Sequence, residues 1–120
     1  MRKYLFLIFG ILPLMVNAGT LVCDNSKVEL LAYHGNSKFM LKLESMDSPV
    51  FFCNPGSVWQ VPGTSYKTSP ETCKMLYSTF LAAKMSGTPI NRIHFDGDDV
   101  PSECNNWGSW KSANIRYFRF

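Results

Sequence analysis

Four cysteines, Cys23, Cys53, Cys73 and Cys104, constrain this chain more than any other feature. Cysteines in such numbers either hold a metal or staple the chain to itself. Structural zinc sites set their ligands in pairs about two to four residues apart. Here the successive spacings are 30, 20 and 31 residues. Two disulfides are the better reading, provided the chain reaches an oxidising compartment. Spacing alone leaves all three connectivities open.

The N-terminus points to that compartment. Arg2 and Lys3 precede an apolar run from Tyr4 to Val16, interrupted only by Gly10 and Pro13. Val16-Asn17-Ala18 then offers small or permitted residues at a signal-peptidase cut. The run is shorter than the roughly 20 apolar residues of a spanning helix, and Pro13 would disturb one. Gly19 follows the cut, so no lipid-bearing cysteine does. We expect residues 1–18 to be a cleaved signal, and residues 19–120 to form a single domain, secreted or periplasmic, with no membrane span.

The whole chain carries 12 basic and 9 acidic residues. Removing Arg2 and Lys3 leaves 10 against 9, a near-neutral domain. Nucleic acid is therefore not an expected partner, because phosphate binding needs concentrated positive charge. Only Lys111, Arg116 and Arg119 form even a mildly basic group.

Local patterns give an order of elements. Val28 to Tyr33 reads as a strand and His34-Gly35-Asn36-Ser37 as a turn, with Gly35 or Asn36 suited to positive φ. Lys38 to Glu44 alternates, with Phe39, Leu41 and Leu43 on one face, so the pair is a hairpin. Val50 to Cys53 is a short apolar strand. Ser57 to Val61 is a weaker strand candidate, ended by Pro62-Gly63. The helix spans about Pro70 to Ser86. Ser69 suits its N-cap and Pro70 its first position, while Thr68 with Glu71 offers a capping box one residue earlier, so the start is open by a residue. Gly87 suits its left-handed end, and Cys73, Leu76, Tyr77, Phe80 and Ala83 form the apolar stripe. Ile90 to Phe95 and Ala113 to Phe120 read as strands around a polar loop that holds Cys104, Trp107 and Trp110. Strands, one helix, then strands predict an α+β domain: a layer, or a small partly open barrel of about five strands.

The stretch Tyr77, Leu81, Ala82, Ala83, Lys84, Ser86-Gly87-Thr88-Pro89-Ile90 and Arg92-Ile93-His94-Phe95 resembles the OB-fold binding (B) subunits of AB5 toxins. The subtilase and typhoid types are the most similar, together with small uncharacterised bacterial secreted proteins of that fold. Ser26, Val28, His34 and Gly35 match the spacing at the start of those subunits' first strand. The resemblance implies an OB-like barrel, a glycan ligand and a homo-pentameric ring. It places Ser26 at a ligand-contacting serine. Phe95, preceded by His94, stands where those subunits have a tyrosine, so a sugar can be stacked upon there but not met by a hydroxyl. It also implies the pairing Cys53–Cys104, which leaves Cys23 with Cys73.

No catalytic group emerges. His34 and His94 lack a partner motif, a reduced cysteine is not expected after export, and no G-x-S-x-G elbow is present. Asp96, Asp98, Asp99 and Glu103 only partly match a calcium loop, and Asp-Gly is ordinary turn chemistry. Trp107 and Trp110 either stack on a ligand or cover a small core, and small domains need such cover. Phe118 and Phe120 end an alternating strand, but a membrane barrel needs many longer ones. The expected function is a non-enzymatic binding module for a glycan or a secreted partner protein, with no cofactor and no metal. Its candidate ligand contacts are Ser26, Asp24, His94, Phe95, Trp107 and Trp110.

Overall fold

The computed structural model describes residues 19–120; the expected signal at residues 1–18 lies outside the described residues. The domain is mostly β with one helix: β1 (Thr20–Ser26), β2 (Val28–His34), β3 (Lys38–Leu43), β4 (Val50–Cys53), α1 (Pro70–Ser86), β5 (Ile90–Asp96), β6 (Lys111–Ser112) and β7 (Asn114–Arg119). These strands make two sheets, β1-β5-β7 and β2-β3-β4-β6, rather than one closed barrel. All neighbours are antiparallel except the short β4–β6 pair.

The expected hairpin is β2–β3, closed by Ser37 N–H donating to the His34 carbonyl at 3.0 Å. Its left-handed residue is Ser37, at φ 69°, rather than Gly35 or Asn36. Strand β1 lies outside the elements expected from the sequence. It runs into β2 with only Lys27 between, and Asn25 at φ 46° lets the chain bend from one sheet to the other. The candidate strand at Ser57–Val61 reduces to a single bridge, Trp59 with Thr68.

Helix α1 begins and ends where its caps place it. Ser69 accepts from Thr72 N–H at 3.1 Å, and Gly87 at φ 67° returns its N–H to the last carbonyls. Its buried stripe is Cys73, Leu76, Phe80 and Ala83. Phe80 joins the layers: its ring packs 5.6 Å from Phe52 of β4 and 5.1 Å from Phe118 of β7. Leu41, Leu43, Val50, Ile90, Ile93 and Phe95 fill the space between, all fully buried.

Both disulfides form, but not with the pairing that the resemblance implies. Cys23 joins Cys104 and Cys53 joins Cys73, with Cα separations of 5.9 and 5.5 Å. Cys53 ends β4, and the first turn of α1 brings Cys73 onto it. Cys23 lies mid-β1, where the Cys104 loop folds back near the Val22 carbonyl. The actual partners are therefore fixed by the docking of α1 on the second sheet and of the long loop on the first. Two intact disulfides fit an oxidising compartment.

Candidate functional sites

A polar cleft lies where β5 ends. Strand β7 carries a bulge there: Phe95 faces Ile115 and His94 faces Tyr117, which leaves Arg116 with no opposing residue. Arg116 turns instead to Asp96. Its Nε donates to Oδ2 at 2.7 Å and its Nη2 to Oδ1 at 2.8 Å, a two-pronged pair. Tyr66 Oη donates to the same carboxylate at 2.7 Å. The Asp96 side chain is only 8 % exposed, whereas that of Arg116 is 55 % exposed, so the guanidinium covers the carboxylate.

The loop carrying Tyr66 is pinned from below. Buried Asn114 donates through Nδ2 to the Tyr66 carbonyl and to Thr64 Oγ1, both at 3.0 Å. Gly63 takes φ 87°, and a Cβ there would stand 2.2 Å from Asp98 Oδ1, so the position excludes a side chain. Gly19 is as tightly set, with Val100 O 2.5 Å from where a Cβ would be. Gly19, Thr20, Gly63, Ser65, Tyr66 and Arg116 surround a cavity of about 420 Å³. Thr20 Oγ1 contacts His94 Nε2, which stands 3.7 Å from Asp96 Oδ1.

The electrostatics follow from this enclosure. Burial pushes the Asp96 carboxyl up, but hydrogen bonds from Arg116 and Tyr66, aided by Thr20, outweigh it and leave its pKa lowered. Burial, followed by the bond to Asp96, pushes the Tyr66 phenol up. The hydrogen bond to Asp96 raises Arg116 above its ordinary value. A carboxylate held ionised with its lone pairs occupied is a poor proton acceptor, so this group clamps β5 to β7 and to the Tyr66 loop.

The second site is aromatic. Asp47 accepts the N–H groups of Trp107 at 2.8 Å and Gly108 at 3.0 Å, which folds the loop after Cys104. The Gly108 N–H, then that of Trp107, hold the Asp47 pKa below its ordinary value. The two tryptophans then part. Trp107 is 2 % exposed and sets its ring edge-on to Phe95 at 5.2 Å. Trp110 is 67 % exposed and sits at φ 63°, a left-handed conformation costly for a bulky residue. Its ring stacks 6.0 Å from Phe51 and meets His34 edge-on at 5.3 Å. Lys38 Nζ lies 5.5 Å from the Phe51 and Trp59 rings, within cation–π range. Beside Trp110 a hollow of about 220 Å³ is lined by Met40, Ser48, Pro49 and Ser109.

The expected contact residues do not converge. Ser26 is buried, and its Oγ accepts Ser45 N–H at 3.0 Å, pinning the β1–β2 corner. Asp24 is paired on the surface with Arg92 at 2.8 Å. Phe95 is fully buried and has no face to offer a sugar. Trp107 is core, which is the packing role weighed for it. His94 borders the polar cleft, and Trp110 alone of the six is an open ring. Tyr66, Asp47 and Phe51 carried no signal as site residues in the sequence. Asp96 and Arg116 stood in an acidic turn and a basic cluster, and nothing local linked them. Among the described residues, no three His, Cys, Asp or Glu side chains stand close enough to hold a metal ion. None of their helices is long and apolar enough to cross a membrane. No protein-family model matches the chain, and no curated protein matches it.

Proposed function

We propose that this is an exported, non-enzymatic binding module that presents Trp110 to a glycan, and that it shares the OB-like plan and ring assembly of the toxin binding subunits it resembles. The supporting observation is Trp110 itself: a large ring, 67 % exposed, held in a strained left-handed backbone and backed by Phe51 and His34. Strain of this kind persists where surrounding structure over-determines it, and such places cluster at ligand sites. A sugar lays its C–H face on an indole while its hydroxyls reach a polar rim, here Ser48, Ser109, His34 and Lys38. Secretion or periplasmic residence is part of the proposal.

A glycan array with the oxidised protein and Trp110→Ala tests it. An exposed anchor ring is worth about 2 kcal/mol or more, so the variant is expected to lose at least roughly thirtyfold in affinity with its fold intact. Equal binding by both proteins removes the Trp110 site. Light scattering tests the ring separately: a pentamer supports it, and a monomer leaves a single-chain lectin-like module.

A protein partner is the second reading. Its support is three exposed apolar side chains, Met75 and Met85 of α1 and Phe120 after β7, at 64 %, 81 % and 54 % exposure. Large apolar groups left in water are the raw material of interaction surfaces. Met85→Glu would abolish partner capture and leave sugar binding unchanged.

A further inference from the structure

We infer that the cleft bounded by Tyr66, Ser65, Thr20 and Arg116 is a second ligand site, built for a small uncharged molecule bearing adjacent hydroxyls, such as a sugar ring or polyol. This rests on the reading of the protein as a binding module but not on Trp110. The cavity, about 420 Å³, lies within the range of roughly 300–1,000 Å³ typical of small-molecule sites.

The cleft holds hydrogen-bonding capacity that the fold does not use. A guanidinium has five N–H donors; Arg116 uses two on Asp96 and keeps three. Its side chain is 55 % exposed, so those donors are accessible. Tyr66 donates its proton to Asp96, and its phenol oxygen, which faces Arg116, keeps acceptor capacity. Asp96 receives three of these bonds, with Thr20 aiding, and lies covered, so the acceptors left for a ligand are those of Tyr66 and Ser65. Ser65 is exposed at the rim and offers both roles. The cleft thus mixes unused donors with unused acceptors. A hydroxyl is both at once, and neighbouring hydroxyls fit such a mixture where a single-role ligand would not.

Charge narrows the class further. Asp96 and Arg116 neutralise each other across a two-pronged pair. An anionic ligand on the free edge of Arg116 would stand close to the Asp96 carboxylate, and a cationic one would face Arg116 itself. Either meets a like charge, which an uncharged ligand avoids. The geometry is also pre-set. Asn114 fixes the Tyr66 loop, Gly63 lets it approach Asp98, and Asp96 orients the guanidinium, so little ordering remains on binding.

Amide chemical shifts of the full oxidised protein, titrated with D-galactose, D-mannose or glycerol and with sodium sulfate as the anionic control, test the assignment. Saturating shifts at Gly63, Ser65 and Arg116 with a neutral probe are expected. Ser65→Trp fills the mouth, and Arg116→Lys keeps the charge opposite Asp96 but loses the fork. Each is expected to weaken those shifts at least tenfold in Kd while the rest of the spectrum stays folded. Shifts confined to Ser109 and the Trp110 indole defeat the cleft assignment and leave the Trp110 site standing. Shifts confined to the cleft do the reverse. A response to sulfate alone overturns the uncharged class, and no response to any probe reduces the cluster to a structural clamp.

Discussion

The polar cleft and the aromatic face solve opposite problems. At the end of β5, a carboxylate, a guanidinium and a phenol answer one another, and the charged centre is covered. Around Trp110, rings gather with the largest of them open to solvent on a strained backbone. The cleft cluster already has a structural return, because it clamps two strands and a loop. Trp110 has little, since most of its surface is in water. A group whose cost is not offset within the fold is the stronger candidate for a ligand outside it, while a satisfied cluster binds only with the capacity that the clamp leaves over.

The largest expected effects come from the staples on which both regions depend. Cys23–Cys104 closes 81 residues and Cys53–Cys73 closes 20. Loop-closure entropy sets their loss at about 4.5 and 3 kcal/mol. Chemical denaturation of the Cys23→Ser/Cys104→Ser and Cys53→Ser/Cys73→Ser variants should therefore rank them in that order, the reverse ranking being evidence that native strain or denatured-state structure dominates. Next comes Trp107→Ala, expected to cost about 3–5 kcal/mol because it empties a packed site against Phe95. Trp110→Ala should cost less than about 1 kcal/mol. Equal losses in thermal melts would erase the division between the two tryptophans.

That division shows what sequence can and cannot carry. The helix was legible to within a residue at its start and at its end, because Ser69, Pro70 and Gly87 act through their immediate neighbours. The β2–β3 hairpin was legible for the same reason. The disulfide partners were not, since Cys73 meets Cys53 only when α1 docks on β4. Strand β1 was missed because residues 20–26 lie just before Val28, where the first expected strand begins, and Asn25 marks a bend between two sheets rather than an end that sequence alone reveals. Trp107 and Trp110 look alike in sequence and are separated by Asp47, 60 residues from Trp107, which folds their loop. Asp96 and Arg116 read as charge clusters because a bulge in β7, invisible to alternation, is what brings them together.

The cleft should also reveal itself in acid. A carboxyl with a lowered folded pKa adds stability that is complete above its ordinary value of 3.8 and is lost as pH falls through the lower folded value. Asp96→Asn should remove that acid-side slope and cost about 2 kcal/mol at neutral pH, in line with hydrogen bonds to charged groups. Asp47 shifts in the same direction, so urea midpoints followed from neutral pH into acid should be compared for Asp96→Asn, Asp47→Asn and the double variant. If Asp96→Asn keeps the full acid slope, the clamp is not where the acid sensitivity lies.

The smallest stability change should be the most informative about the aromatic face. Trp110→Gly removes the ring and relieves the left-handed backbone at once. A side chain in that conformation costs roughly 1–2 kcal/mol, and glycine adopts it freely, though a glycine also loosens the unfolded chain by a comparable fraction. Loss of the partial stack on Phe51 and His34 works against the gain. The net expectation is a melting temperature unchanged or raised slightly, together with loss of the glycan binding we propose. Trp110→Ala keeps the strain and loses the ring, so it should be less stable than Trp110→Gly while binding equally poorly. That pattern identifies an open tryptophan retained against stability, which is the stability–function trade-off of a binding residue. If Trp110→Gly is instead destabilised as heavily as Trp107→Ala, the ring belongs to the core, and the contrast between the two regions collapses into packing.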